Sequence, residues 1–440
     1  MKSNFYLSTI RKFSFFENFR NPVFLICFLA FFLNSKSYAT DYIFTGNGNW
    51  SNAALWSPAH PNTMQFDLAH TISISAGSVV NIDSWVNIQN NFTNNGTINV
   101  LAGQKLNIIL NIGDNTAKMI NNGPINVLAT ASFNVQKPLI NNKGKLISIK
   151  GEFLSLYALG CTIENYGSFL AVEGSTVKFE NKWQNFSGSA VNNYTSNFIA
   201  ETKAQLFIID AGSTFYNYPT GTLRASYCKF ENSGTFISNG ILDISNGTFS
   251  NKTGSKFIHK GTIKSFYILN EGTLDIQSAE FNARNIDNTN GGIIKGSFVE
   301  GIGGIVSKNG SKMMPGGSSI GIIKLTTGSF SQYKDAIWEM QIAGPDGPGK
   351  STGHDQLVVE KGSALFGSGG TDKSYFNISL INNYIPAPGT TFRLVESVGM
   401  SANLSINFNY PTLPNGRTWK VKFIQNPQLT RDIAIDITAN

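Results

Sequence analysis

Residue types that carry chemistry are sparse in this 440-residue chain. Its four histidines, His60, His70, His259 and His354, show no paired metal-ligand spacing and accompany no Gly-x-Ser-x-Gly nucleophile element. His354-Asp355 is an adjacent acid/base pair, but nothing nearby supplies a nucleophile. Enzymes that cleave polysaccharides need clustered carboxylates, either two carboxyls flanking a glycosidic bond or several around calcium. Glu164, Glu173 and Glu180 are close in sequence but fall at different positions of the repeat described below, which itself contains no Asp-Asp or Asp-x-Asp pair. The run Gly344 to Gly353 is rich in glycine and proline and reads as a flexible surface loop. The expectation is therefore no catalytic residue, no metal and no cofactor. Trp50 and Trp56 remain as candidate binding residues, able either to stack on a sugar ring or to serve as the bulky aromatics of a cap.

The N-terminus carries Lys2, Arg11, Lys12 and Arg20, then the uncharged run Pro22 to Leu33, then Ser37-Tyr38-Ala39. This is the pattern of a secretory signal over residues 1–39, with an apolar core shorter than the roughly 20 residues of a spanning helix. Cleavage after Ala39 leaves 29 basic against 26 acidic residues. The basic excess of the whole chain thus belongs largely to the signal, no basic cluster remains, and nucleic acid is not an expected partner. No later stretch reaches membrane-spanning length. Charged residues make up 14% of the chain, below the usual quarter, yet 33 phenylalanines and 41% hydrophobic content are enough to build a core.

The elements that would position any site are dictated by a repeat. Variants of apolar-x-Asn-x-Gly followed by an alternating apolar run recur, as in Phe92 to Val100, Ile140 to Ile149, Ile163 to Val172, Phe230 to Ser238 and Ile268 to Ile276. Glycines at 96, 123, 144, 167, 188, 212, 234, 254, 272 and 292 mark a period of about 20 residues. Between them, β-branched and aromatic residues alternate, the signature of short strands between turns. A unit this small cannot bury its apolar face alone, so stacked neighbours must supply the core. The predicted fold is all-β: a right-handed, single-stranded parallel β-helix (solenoid) with N- and C-terminal caps.

At the Asn-x-Gly corner, Gly is expected to supply a positive φ, and Asn94, Asn121, Asn142, Asn165, Asn232, Asn270 and Asn290 are expected to align into an amide ladder along the axis. Cys161 and Cys228 each lie six residues before a marker glycine, three coils apart. Their separation of about 14 Å exceeds the reach of a disulfide, so both are expected to be free, inward or corner-buried thiols.

The domain reading is a signal at 1–39, a cap with first coils at 40–90, regular coils at 91–300, and terminal coils with a C-terminal cap at 301–440. In the last of these, Pro315-Gly316-x-Ser318-x-x-Gly321 precedes a strand, Asp355-Gln356-Leu357-x-Val359 follows, and Leu413-Pro414-x-Gly416-x-x-Trp419 closes the segment. This order resembles the passenger regions of bacterial autotransporters and related secreted surface proteins. The resemblance covers about 110 residues closely. It implies a β-helix whose last coils stabilise the stack, a role as adhesin or stalk, and a strand-initiating rather than catalytic Asp355. The translocator barrel of a complete autotransporter is not expected, because the chain closes on the alternating run Ile433, Ile435, Ile437. The function expected is a secreted or cell-surface, non-catalytic structural or adhesive protein. Its ligand would be an extracellular glycan or protein, and its surface anchor a separate molecule. The alternatives are a polysaccharide lyase or glycoside hydrolase built on the β-helix, and a lectin-like carbohydrate-binding module.

Overall fold

The computed structural model describes residues 40–440, less the stretches 60–64, 67–69, 110–116, 157–160, 201–203, 368–371, 403–405 and 426–432 and the single positions 90, 173, 195, 279 and 302. The signal reading of residues 1–39 lies outside the described residues. Residues Asp41–Asn440 form one compact unit. Its described residues are strands and turns, with helical turns only at Ala53–Leu55 and Pro414–Gly416.

The chain winds as a parallel β-solenoid. A typical coil lays down Glu152–Ser155, Thr162–Asn165 and Ser168–Ala171, and each strand pairs in parallel with the strand one coil onward, as in Phe153↔Val177, Ile163↔Trp183 and Phe169↔Val191. Three faces result. The third is a continuous parallel sheet of sixteen strands, from Asn47–Asn49 to Ile406–Asn409. At the spacing of paired strands it is about 70 Å from first to last. The first and second faces are joined within single long strands at Ile241–Asn251, Thr262–Asn270, Glu280–Asn288 and Gln356–Phe366.

Alternation explains the core. Strand after strand reads intermediate, buried, intermediate, buried, so every second side chain enters the cylinder. The middle of the cylinder is aromatic. Trp183, Phe207, Phe230 and Phe249 stack along the second face, opposite Phe215, Phe236 and Phe257 on the third. Edge-to-face pairs such as Phe207–Phe230 at 4.7 Å link successive coils.

At both ends the larger sheet adds antiparallel pairs. Thr40–Phe44 pairs antiparallel with Trp56–Ser57, and Thr391–Ala402 pairs antiparallel with Ile433–Ala439, which in turn pairs antiparallel with Trp419–Gln425. A reversed strand ends the stack without leaving a template for a further coil.

The amide ladder exists, with a corrected membership. The last residue of each second-face strand turns inward, and Nδ2 of one coil donates to Oδ1 of the next: Asn94 to Asn121, Asn121 to Asn141 and Asn141 to Asn165, each at 2.8 Å, then Asn165 to Asn185 at 3.0 Å. Ile209 interrupts it, and it resumes as Asn232, Asn251, Asn270 and Asn288. Asn142 and Asn290 are not members. Asn142 bonds Asn122, and the exposed Asn290 bonds Glu271 Oε1.

The reason is that two kinds of corner occur along the stack. In the short corner, Asn-x-Gly, the glycine does not have the positive φ expected of it. A Cβ on Gly123 would instead press into the carbonyl oxygen of Gly96, and one on Gly167 into that of Lys145. In the long corner, Asn-x-x-Gly, the glycine is left-handed and faces open space, as at Gly144 (φ +73°) and Gly254 (φ +80°). One glycine type permits close approach of coils and the other permits the turn.

Candidate functional site

The structure places Trp50 and Trp56 inside the N-terminal end of the cylinder, 2% and 5% exposed. Their rings meet edge-to-face at 4.6 Å, Trp56 meets Phe44 at 5.2 Å, and Trp56 Nε1 donates to the Trp50 carbonyl at 2.9 Å. Neither ring presents a face on which a sugar could stack, so the binding role considered for them is corrected to a cap role. The open end of the first coils needs bulky apolar cover, and these rings supply it. The exposed tryptophan is Trp85, with Lys105 Nζ 4.6 Å from its ring centre.

His354 and Asp355 do not act as a pair. His354 Nε2 lies 3.1 Å from the Arg393 carbonyl oxygen, whereas the Asp355 carboxylate accepts from the backbone N–H of Gly321 at 2.7 Å and of Gln341 at 2.8 Å. Asp355 thereby ties the Pro315–Gly321 loop to the strand Gln356–Phe366. Gly316 (φ +67°) and Gly317 (φ +70°) turn that loop, and Gly321 packs so closely on Gly316 that a Cβ would collide with its backbone. Burial pushes the Asp355 carboxyl up to about 8, with the two N–H bonds pulling the other way. The third element is also structural. Leu413 is buried, and Trp419 Nε1 donates to the Pro411 carbonyl at 2.9 Å.

His259 is fully buried at the end of a third-face strand, in register with Ser238, and burial lowers it to about 4. His60 lies outside the described residues, as does Glu173. Glu164 faces outward from its strand, beside the Tyr166 hydroxyl at 3.4 Å. Cys161 and Cys228 are buried free thiols at equivalent places, each just before a second-face strand, three coils apart. Burial pushes them up to about 11 and about 12. Among the described residues, no three His, Cys, Asp or Glu side chains come close enough together to hold a metal ion. Among them, too, no helix is long and apolar enough to cross a membrane.

The arrangement with most binding potential was not foreseen. On the outside of the second face a groove of about 460 Å³ runs along the axis, lined by Tyr267, Asn285, Asp287, Lys308, Ser331 and Tyr333. Register builds it. Tyr267, Asn285 and Gly304 form one outward column, Asp287, Val306 and Ser331 the next, and Lys308 and Tyr333 follow the ends of consecutive strands. Gly304 carries no side chain there, and the Ser329 carbonyl oxygen packs 2.7 Å from where a Cβ would stand. Across the middle, Lys308 Nζ meets Asp287 Oδ2 at 2.8 Å, and the Tyr267 hydroxyl donates to the same oxygen at 3.2 Å. The hydrogen bond to Asp287 raises the Lys308 pKa, and burial followed by the Asp287 charge raises that of Tyr267. Both shifts keep Lys308 charged and the Tyr267 phenol protonated at neutral pH. The groove can offer donors, an acceptor and two aromatic rings at fixed positions, with no activated nucleophile among them.

Neither a protein-family model nor a curated protein matches the sequence.

Proposed function

We propose that this chain is a secreted or cell-surface β-solenoid with a structural and adhesive role, related in kind to autotransporter passengers, and that it does no chemistry of its own. The observation that carries the reading is how the outward carboxylates of the later coils are held. Asp275 pairs with Lys295 at 3.1 Å, Asp287 with Lys308 at 2.8 Å, Glu339 with Lys312 at 3.4 Å and Glu360 with Lys324 at 2.6 Å. Glycoside cleavage needs two carboxyls facing each other across roughly 5–10 Å, one of them protonated. A carboxylate neutralised by its own lysine is suited to neither role. The stack of hydrogen-bonded coils supplies the stiffness of a stalk, and its outer faces supply a surface for contact.

The test incubates the purified protein with soluble and insoluble polysaccharides, recording protein retention and new chain ends in the same tubes. Retention without new ends is expected. New chain ends would overturn the non-catalytic reading and favour the enzyme alternative. The outward groove at Tyr267 to Tyr333 gives the lectin-like alternative its own support.

A further inference from the structure

We propose that the second-face groove is a binding site for a neutral oligosaccharide, an inference that rests on the adhesive reading and gives it a ligand class. Tyr267 and Tyr333 stand on strands three coil steps apart, about 14 Å along the axis, and the groove between them is about 460 Å³, within the range of small-ligand sites. That is an elongated slot with an aromatic ring toward each end. Tyrosine rings give rigid, amphipathic contact area at low entropic cost, which suits the mixed C–H and O–H surface of a sugar. Between them, Asn285 and Ser331 add an amide and a hydroxyl.

The charge pattern selects the ligand class. Asp287 and Lys308 neutralise each other, so the groove has no net field to attract a phosphate, a uronate or nucleic acid. The same pair presents an acceptor and a donor side by side, as a polyhydroxyl ligand requires. Lys308 has three N–H donors and uses one on Asp287. Asp287 Oδ2 accepts from both Lys308 Nζ and the Tyr267 hydroxyl, which fixes the pair in place. The remaining Lys308 N–H groups can donate to ligand hydroxyl oxygens. Tyr267, Asn285, Asp287 and Ser331 stand on paired strands, so their positions are fixed before binding.

The experiment titrates the purified protein by calorimetry with cello-, malto-, manno-, xylo- and chito-oligosaccharides, and with oligogalacturonate as the acidic counterpart. At least one neutral series is expected to bind, more tightly than oligogalacturonate. Tyr333→Ala and the isosteric Asp287→Asn should each lower affinity about tenfold or more, while Tyr216→Ala, outside the groove, leaves it unchanged. Thermal melts check that each variant folds, and Tyr333→Phe, which keeps the ring, should retain binding. The site is refuted if no neutral oligosaccharide binds, if oligogalacturonate binds better, or if binding survives both groove substitutions. Polysaccharide retention that groove variants do not alter would refute this site and leave the adhesive reading standing. New chain ends would refute the non-catalytic reading instead.

Discussion

Asn141 and Asn142 are adjacent in sequence and opposite in consequence, which makes them the sharpest test of the ladder. Asn141 is 1% exposed, accepts from Asn121 Nδ2 at 2.8 Å and donates to Asn165 Oδ1 at 2.8 Å. Asn141→Ala strands both of those neighbouring groups inside the cylinder. An unsatisfied buried polar group costs about 1–3 kcal/mol, so two of them give a loss of about 2–6 kcal/mol, centred near 4. The Asn142 side chain donates to Asn122 near the surface, its backbone bonds survive substitution, and Asn142→Ala should stay within about 0.5 kcal/mol. Solenoid stability is a sum over coils and their interfaces, so the assay should be local. Amide hydrogen exchange over Leu139–Asn141 and Thr162–Asn165, backed by urea melts of the whole protein, reports the opening free energy where the ladder is cut. Equal losses for the two variants, or a loss below about 1 kcal/mol for Asn141→Ala, would refute the argument that the ladder holds these coils together.

Three further outcomes follow from the same geometry. Gly123→Ala drives a methyl group into the Gly96 carbonyl and should lower the melting temperature far more than Gly144→Asn, because asparagine reaches the left-handed region that Gly144 occupies. The folded-state pKa of Asp355 is raised from the ordinary carboxylate value of 3.8 to about 8, so its contribution is fully present below pH 4 and is lost as pH rises through 8. His259 is lowered from 6.5 to about 4, so its contribution is present above pH 6.5 and is lost as pH falls toward 4. Asp355→Asn should flatten the alkaline limb of a plot of melting temperature against pH, and His259→Leu the acid limb; limbs unchanged by these substitutions would reject the assignment. Thiol labelling with iodoacetamide at pH 8 should spare Cys161 and Cys228 in the folded protein, since burial keeps both protonated, and modify both after unfolding.

The coil period, the parallel stack and the inward amides were legible because each is a local pattern repeated many times. Where the ladder was misread, the fault lay in treating one glycine as one marker. Asn141-Asn142-Lys143-Gly144 and Asn288-Thr289-Asn290-Gly291 are one residue longer than Asn165-Tyr166-Gly167, and counting back two from Gly144, or from Gly292 taken as the marker, lands on the wrong asparagine. The extra residue accompanies the left-handed glycine, a difference that appears only in the backbone. Trp50 and Trp56 were ambiguous for another reason. Aromatic residues serve a cap and a sugar site equally well, and burial alone separates the two.

The groove was illegible because its residues come from four coils, from Tyr267 to Tyr333, and meet only through register. The ruler that would align them is the ladder position, which runs Asn270, Asn288, Ser307, Gln332 and so loses its asparagine halfway along the groove. A β-solenoid divides its sequence in two. Inward positions answer to the fold and repeat, so they can be read, whereas outward positions answer to whatever the surface touches and need not repeat at all. Outward substitutions such as Tyr333→Ala should therefore change stability little, since they empty no core and strand no ladder amide. The property that hides a site from sequence also allows it to be altered without harm to the fold, so binding lost at unchanged stability would mark the outward residues that carry function.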